Sequence, residues 1–112
     1  MNIANEQHLA ATVLRITGEL TAEESDNFKR NTLEATNRFS TDVVVDCSLL
    51  TMIDSVGLES LMWLSEEVGS NGHRLRLAIV PDHIANIFRF TRLDGAFSSH
   101  DTVEAAAKSL NT

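Results

Sequence analysis

The sequence predicts a single α/β domain over residues 1–112, with a mixed central sheet of four to five strands and about four helices. β-Branched apolar runs alternate along the chain with segments whose apolar residues recur at helical spacing. This order is typical of a sheet built from right-handed crossovers. The length of 112 residues suits one domain with its own core. A hydrophobic fraction of 43% is ordinary for a folded globular protein.

The first elements are two strand patterns and a helix pattern. The segment Ala11–Ile16 is β-branched and apolar and predicts a strand, and a weaker strand pattern precedes it at Ile3–Leu9. Thr21 and Glu24 have the spacing of a capping box, so a first helix is predicted over Ala22–Arg38. Its inward face is predicted to carry Phe28, Thr32, Ala35 and Phe39.

The middle of the chain predicts a central strand and a second helix. The segment Asp42–Cys47 contains the unbroken β-branched run Val43–Val45, which is typical of a strand covered on both faces. A loop is predicted over Ser48–Asp54. A second helix is then predicted over Val56–Ser70, with Gly72 as its C-terminal cap. Its inward face is predicted to carry Leu58, Leu61, Met62, Ser65 and Val68.

The last third predicts two shorter strands and two shorter helices. Alternation of apolar and polar residues predicts a strand over Leu75–Ile79, and Asp82 is predicted to cap a short third helix. An edge strand is predicted over Ala96–Ser99. Asp101 and Glu104 then have the spacing of a capping box before the last helix. The inward residues of the two helices are predicted to be Ile84, Ile87, Phe88, Val103, Ala106, Ala107 and Leu110.

Charge and cysteine content exclude several classes of partner and compartment. Nine basic against sixteen acidic residues give a net charge of −7, which argues against nucleic acid and anionic membrane surfaces as partners. The single cysteine, Cys47, cannot form an internal disulfide and is expected to be a buried small apolar residue. No signal peptide pattern is present over Met1–Ala10, and no apolar run is long enough to span a membrane. We expect a cytoplasmic protein without direct membrane insertion.

The residue pattern offers no catalytic apparatus. The five glycines form no phosphate-binding spacing, and the four histidines share no metal-ligand spacing with each other or with Cys47. Ser55 lacks the first glycine of a serine hydrolase elbow. The run Val43–Asp46 resembles the phospho-aspartate strand of a receiver domain, but the acidic pair that such domains carry after their first strand is missing. We therefore expect no enzyme activity, no catalytic residue, no metal site and no cofactor.

One segment matches a family pattern. Asp54-Ser55-Val56-Gly57-Leu58 resembles the Asp-Ser-Ser/Thr-Gly-Leu motif that begins the second helix in STAS domains of the anti-sigma factor antagonist type. Gly18-Glu19-Leu20 is similar to the family's turn after an early strand. The third-helix region is also similar, at Pro81, Ile87, Phe88, Thr91 and Leu93. The sequence departs from the family where it has Thr21 for an acidic residue, Val56 for a hydroxyl residue and Arg92 for a glycine.

The resemblance implies a function in regulation by partner switching. Ser55 corresponds to the family's phosphorylated serine. The unphosphorylated form would bind an anti-sigma factor that is also a serine kinase, phosphorylation would end the binding, and a serine phosphatase would restore it. ATP and Mg²⁺ would belong to the kinase. The residues expected to contact the partner are Thr21, Thr51, Met52, Ile53, Asp54, Val56, Gly57 and Trp63.

Other interpretations of the same residues remain open. Ser55 could be a helix N-cap worth about 1 kcal/mol, a role that Asp54 could share. Trp63, just off the apolar stripe of the second helix, could be partly exposed or buried. The alternative function is a STAS scaffold subunit, without phosphorylation, of a larger complex such as a lipid-transport ATPase assembly. Val56 and Arg92 fit that alternative slightly better.

Overall fold

The computed structural model describes residues 1–111, except for the side chain of Phe39, which was predicted to lie on the inward face of the first helix. Among these residues, no helix has the length and apolar character needed to cross a lipid bilayer. The strands are β1 (Asn2–His8), β2 (Ala11–Leu20), β3 (Asp42–Ile53), β4 (Leu75–Ala78) and β5 (Ser99–His100). The helices are α1 (Ser25–Phe39), α2 (Ser55–Ser70), α3 (Asp82–Phe90) and α4 (Val103–Ser109), and a 3₁₀ turn (Ala22–Glu24) precedes α1.

The five strands form one mixed sheet whose spatial order, β1-β2-β3-β4-β5, follows the chain. Strand β1 is antiparallel to β2, whereas β2, β3, β4 and β5 are mutually parallel neighbours. This confirms the predicted α/β fold with a mixed sheet. Because parallel strands have their C-terminal ends on the same side, the ends of β2 and β3 and the beginning of α2 lie together at the C-terminal end of these strands.

Two apolar layers cover the two faces of the sheet. The larger core packs α1, α2 and α3 against one face, with Phe28, Leu61 and Ile84 fully buried. The smaller core lies on the other face, where residues of α4 pack on Val13 and Val44. The members of the smaller core are Ala11, Val13, Val44, Ala78, Ala106, Ala107 and Leu110.

Cys47 lies in the larger core with none of its surface exposed, so the prediction of a buried apolar cysteine is confirmed. Burial, together with the nearby negative charge of Asp46, raises the pKa of its thiol to about 12. The thiolate is therefore essentially unpopulated at neutral pH in the folded protein.

The predicted loop over Ser48–Asp54 is wrong, because β3 continues to Ile53. The strand stays paired with β2 as far as the Leu20–Ile53 pair, but the register shifts twice on the way. Each shift places an extra residue in β3, which breaks the alternation of apolar and polar residues by which a strand is recognised. Two neighbouring leucines illustrate this, since Leu49 is exposed and Leu50 is buried.

The predicted capping box at Thr21 and the predicted cap at Asp82 are also wrong. Thr21 makes no capping hydrogen bond through its side chain, and the N–H of Ala22 donates instead to the carboxylate of Asp54. Pro81, and not Asp82, is the residue that precedes the first turn of α3. An acceptor from another part of the chain therefore replaces the local cap at the beginning of the first helical segment.

Two predictions near the end of the chain are shifted by one or more residues. The hydroxyl of Thr102, one position after the predicted cap Asp101, accepts from the N–H of Ala105 at 2.9 Å and caps α4. The edge strand predicted over Ala96–Ser99 is the two-residue strand β5, Ser99–His100.

Candidate functional site

The candidate site lies where β3 ends and α2 begins. Asp54 is the N-cap of α2, with extended backbone angles, and Ser55 is the first helical residue. The interpretation of Ser55 as the N-cap is therefore wrong, because its neighbour provides the acceptor. Ser55 is exposed, and its hydroxyl makes no hydrogen bond to any other residue that the structure describes. The side chain projects from the helix start without a structural role of its own.

Asp54 joins the beginnings of two helical segments through one carboxylate. Its Oδ1 accepts from the N–H of Gly57 at 2.8 Å, and its Oδ2 accepts from the N–H of Ala22 at 2.9 Å. The Asp54 N–H lies 3.4 Å from the carbonyl oxygen of Leu20, at the end of β2. The hydrogen bonds from Gly57 and then Ala22 hold the pKa of Asp54 below its usual value. A negative charge therefore lies next to Ser55 at neutral pH.

Gly57 allows α2 to approach the end of β2. A Cβ atom at this position would lie 2.0 Å from the carbonyl oxygen of Leu20 and 2.8 Å from Cγ1 of Ile53. Gly57 is buried, and Ile53 is only 3% exposed. Little of their surface is therefore available for the direct partner contact expected of them. They instead pack beneath the exposed residues and fix how closely α2 approaches the end of β2.

The other predicted contact residues form a smaller surface than expected. Thr51 and Met52 are exposed beside Ser55, with Met52 exposed to 47%. Thr21 and Val56 are half-buried. Trp63 lies apart from this surface. It is about 12 Å further along the axis of α2 at 1.5 Å per residue.

Trp63 is partly exposed but packs against the core, so each of the two expectations for it holds in part. The Nζ atom of Lys29, on α1, lies 5.6 Å from the centre of its ring, a cation–π distance. Its contacts thus join α1 to α2, and they do not extend the surface around Ser55.

The sequence did not predict the roles of two residues near the candidate site, Leu49 and His83. Leu49 exposes half of its surface, and the ring Nε2 of His83, on α3, lies 2.9 Å from the carbonyl oxygen of Thr51. The exposure of Leu49 depends on the register shifts of β3. The His83 contact joins residues 32 positions apart. No local pattern in the sequence indicates either feature.

Asp46, the second carboxylate of β3, is already paired. It is 2% exposed, its Oδ2 lies 3.0 Å from Nε of Arg15, and its Oδ1 accepts from the N–H of Ser48 at 2.9 Å. Burial acts to raise its pKa, but the hydrogen bonds from Ser48 and the contacts with Arg15 outweigh it and keep the pKa below the usual value. Within residues 1–111, no three His, Cys, Asp or Glu side chains come together in a way that could hold a metal ion.

Replacing Arg15 with methionine should destabilise the fold most strongly at neutral pH. The change leaves the buried Asp46 carboxylate without its cation and raises its pKa in the folded state. A carboxylate with a depressed folded pKa stabilises above its unfolded pKa and loses that contribution as the pH falls. The difference in urea midpoint between the variant and the parent should therefore shrink between about pH 7 and pH 4. A difference independent of pH would contradict this account.

Two features define the class of protein. One is the mixed sheet with helices α1 to α4 between and after its strands, and the other is the exposed serine at the start of α2, directly after β3. A family model described as Mlab, STAS domain matches residues 3–104. The chain belongs to the STAS domain family.

Solved structures agree with this assignment at the level of the fold. A protein from Thermotoga maritima proposed to be an anti-sigma factor antagonist has a TM-score of 0.89 at 19% identity, over 98% of this chain and 95% of that one. An anti-sigma factor antagonist from Mycobacterium paratuberculosis has a TM-score of 0.83 at 18% identity, over 99% and 94%. The anti-sigma factor antagonist SpoIIAA in its unphosphorylated form has a TM-score of 0.71 at 18% identity, over 96% of each chain.

Proposed function

We propose that the protein is an anti-sigma factor antagonist of the cytoplasm whose binding is controlled by phosphorylation of Ser55. In its unphosphorylated form it binds an anti-sigma factor with serine kinase activity. Phosphorylation by that kinase releases it, and a serine phosphatase restores binding. The kinase supplies ATP and Mg²⁺, and this chain catalyses no step itself.

The observation that carries this proposal is the position of Ser55. Its exposed hydroxyl is the first side chain of α2, beside the backbone N–H groups and the positive end of the helix dipole. A phosphate is electrostatically favoured at such a helix start. Asp54 caps the helix, so modification of Ser55 removes no cap. The helix should therefore remain folded after phosphorylation.

The effect of a phosphate is then on docking. It adds about −1.5 to −2 charges beside the ionised Asp54. The exposed residues near the end of β3 are Thr51 and the apolar Met52, with the apolar Leu49 further back along the same strand, and they suit contact with a partner surface. Bulk, like-charge repulsion and desolvation would oppose that contact. The proposed switch acts on the interface and leaves the fold unchanged. The structures of SpoIIAA in unphosphorylated and phosphorylated forms have this same fold, with TM-scores of 0.71 and 0.70 to this chain.

The first test is phosphorylation by the anti-sigma factor kinase that the proposal gives as the partner. Intact-mass measurement after incubation with ATP should show one added phosphoryl group on the parent and none on Ser55→Ala. Ser70→Ala is the matched control, because Ser70 is an exposed serine at the far end of α2, outside the proposed docking surface, and its loss should leave the modification unchanged. Modification that survives Ser55→Ala would reject this position.

The second test is binding. Ser55→Asp should weaken the affinity for the kinase at least about tenfold, which corresponds to about 1.4 kcal/mol, in an isothermal titration. Ser70→Asp carries the same added charge at the exposed far end of α2 and should leave the affinity within about threefold of the parent. Equal effects of the two substitutions would indicate a general charge effect, which is contrary to a local interface.

A second candidate function is a STAS scaffold subunit of a larger complex such as a lipid-transport ATPase assembly. The description of the matching family model as Mlab, STAS domain favours it, as does Val56 where the motif usually has a hydroxyl residue. On this alternative, Ser55 is not modified. Stable co-purification with a transporter ATPase, together with unchanged mass after incubation with the kinase, would support the scaffold role over the switch.

A further inference from the structure

The outer edge of β4 is only partly covered. Strand β5 pairs with Leu77 and Ala78, so no strand among residues 1–111 lies beside the first half of β4 on that side. The N–H groups of Leu77 and Ile79 point towards this side, to the carbonyl oxygens of Ser98 and His100. Since orientation alternates along a strand, the N–H of Leu75 points the same way. The N–H of Leu75 is therefore offered to an additional extended segment, whereas the carbonyl oxygen of Leu75 already accepts from Nη1 of Arg76 at 3.2 Å.

A groove lies along this open edge. A cavity of about 370 Å³ separates the second half of α2, at Ser65 and Gly69, from the segment that leads to β5, at Gly95 and Ser98. A second cavity of about 190 Å³ shares Ser65, Ala96 and Phe97 with it and extends to Met62 and Glu66. A Cβ atom on Gly69 or Gly95 would have no atom within 4 Å, so both glycines leave the groove open.

The larger cavity is basic in a chain that is acidic overall. His73, Arg74 and Arg76 line it, and no aspartate or glutamate does, whereas the whole chain carries −7. Asp42 lies beside two of them, with its Oδ1 3.5 Å from Nδ1 of His73 and its Oδ2 3.9 Å from Nη2 of Arg74, so Arg76 is the lining cation without a carboxylate partner among the described residues. The two guanidinium groups are held at the end of α4, where Arg74 donates to the carbonyl oxygen of Leu110 and Nε of Arg76 lies 3.3 Å from Oγ of Ser109. Each guanidinium has five N–H donors, so these bonds use part of its capacity.

We propose that this groove binds a short extended segment of a partner protein that carries acidic side chains. The N–H of Leu75 would donate to the backbone of the segment, and Arg74 and Arg76 would contact its carboxylates, a form of strand addition. Phe97 and Met62 would contact its apolar side chains. The groove lies at the end of α2 opposite Ser55, since Gly69 is about 21 Å from it along the helix at 1.5 Å per residue. The proposal is therefore independent of phosphorylation at Ser55.

The test uses a fluorescein-labelled octapeptide that alternates glutamate with valine, and a second peptide with lysine in place of glutamate. Fluorescence anisotropy should show saturable binding of the acidic peptide alone. Gly69→Glu should weaken it at least about tenfold, whereas the uncharged Gly69→Gln, of the same size, should weaken it less than about threefold. Amide chemical shifts should move at Leu75, Arg76 and Ser98.

Several results would overturn the proposal. These are equal binding of the two peptides, equal effects of Gly69→Glu and Gly69→Gln, or shifts centred on Ser55. A further one is binding to vesicles that contain phosphatidylglycerol without binding to the acidic peptide, which would indicate a lipid surface. Ser55→Asp should leave peptide binding unchanged, so failure of the groove and failure of the Ser55 switch can be told apart.

Discussion

Replacing Gly57 with alanine is expected to destabilise the protein by about 3 kcal/mol or more, because overpacking that displaces backbone is costly. The added Cβ would lie 2.0 Å from the carbonyl oxygen of Leu20, far inside van der Waals contact. Two backbone segments must therefore separate, and the hydrogen bond from the Gly57 N–H to Asp54 is strained with them. Urea denaturation followed by circular dichroism measures this effect.

The same helix contains the matched control. Gly69 lies near the end of α2 with no atom within 4 Å of an added Cβ. Gly69→Ala should therefore stabilise the protein by about 0.5–1 kcal/mol through helix propensity. We therefore expect the free energy of unfolding to fall for Gly57→Ala and to rise for Gly69→Ala. A loss of less than about 1 kcal/mol for Gly57→Ala would contradict close packing at the end of β2.

Replacing Asp54 with alanine is expected to cost about 2 kcal/mol, since it removes the acceptor for two helix-start N–H groups. Asp54→Asn should cost about half as much, because its NH2 group is a donor and cannot accept from the N–H that the second carboxylate oxygen now serves. The two variants separate the capping of α2 from the link to the first helical turn. Equal losses would show that the amide preserves neither bond and would contradict this account.

The free energy of unfolding at acid pH provides a second measurement of the contribution of Asp54. The hydrogen bonds from Gly57 and Ala22 lower its folded pKa, so its contribution is present above the unfolded pKa and is lost as the pH falls through the folded pKa. The parent should therefore lose more stability than Asp54→Ala between about pH 5 and pH 2. Parallel curves for the two proteins would rule out this contribution.

Periodicity in the sequence predicted the four α-helices and the central place of the Val43–Val45 strand, because the apolar faces of these elements follow a regular repeat. The full spatial order of the strands came from the structure. It failed where the repeat is interrupted. The second half of β3 has two register shifts against β2, and alternation is lost there although the strand continues to Ile53. Strand β1 carries only a weak pattern of its own, since most of its side chains are exposed and its place is set by pairing with β2.

The site was predictable only in part for the same reason. Short motifs indicated Ser55 and its neighbours, and the exposure of Ser55 agrees with a surface role. The carboxylate of Asp54, however, bonds Ala22 across 32 positions, and the ring of His83 reaches Thr51 across a similar separation. The burial of Gly57 and Ile53 likewise follows from how α2 lies on the sheet. Such relations arise from tertiary structure.

Because Cys47 is fully buried, the reactivity of its thiol reports on transient opening of the larger core. Its thiol has no exposed surface and ionises only near pH 12, so a thiol reagent cannot react with it while the sheet is closed. The rate of labelling under native conditions then measures how often the core opens, without denaturant and without an introduced dye. The rate of Cys47 labelling can therefore be compared directly among the variants at Arg15, Asp54 and Gly57, as a measure of how often the core opens in each.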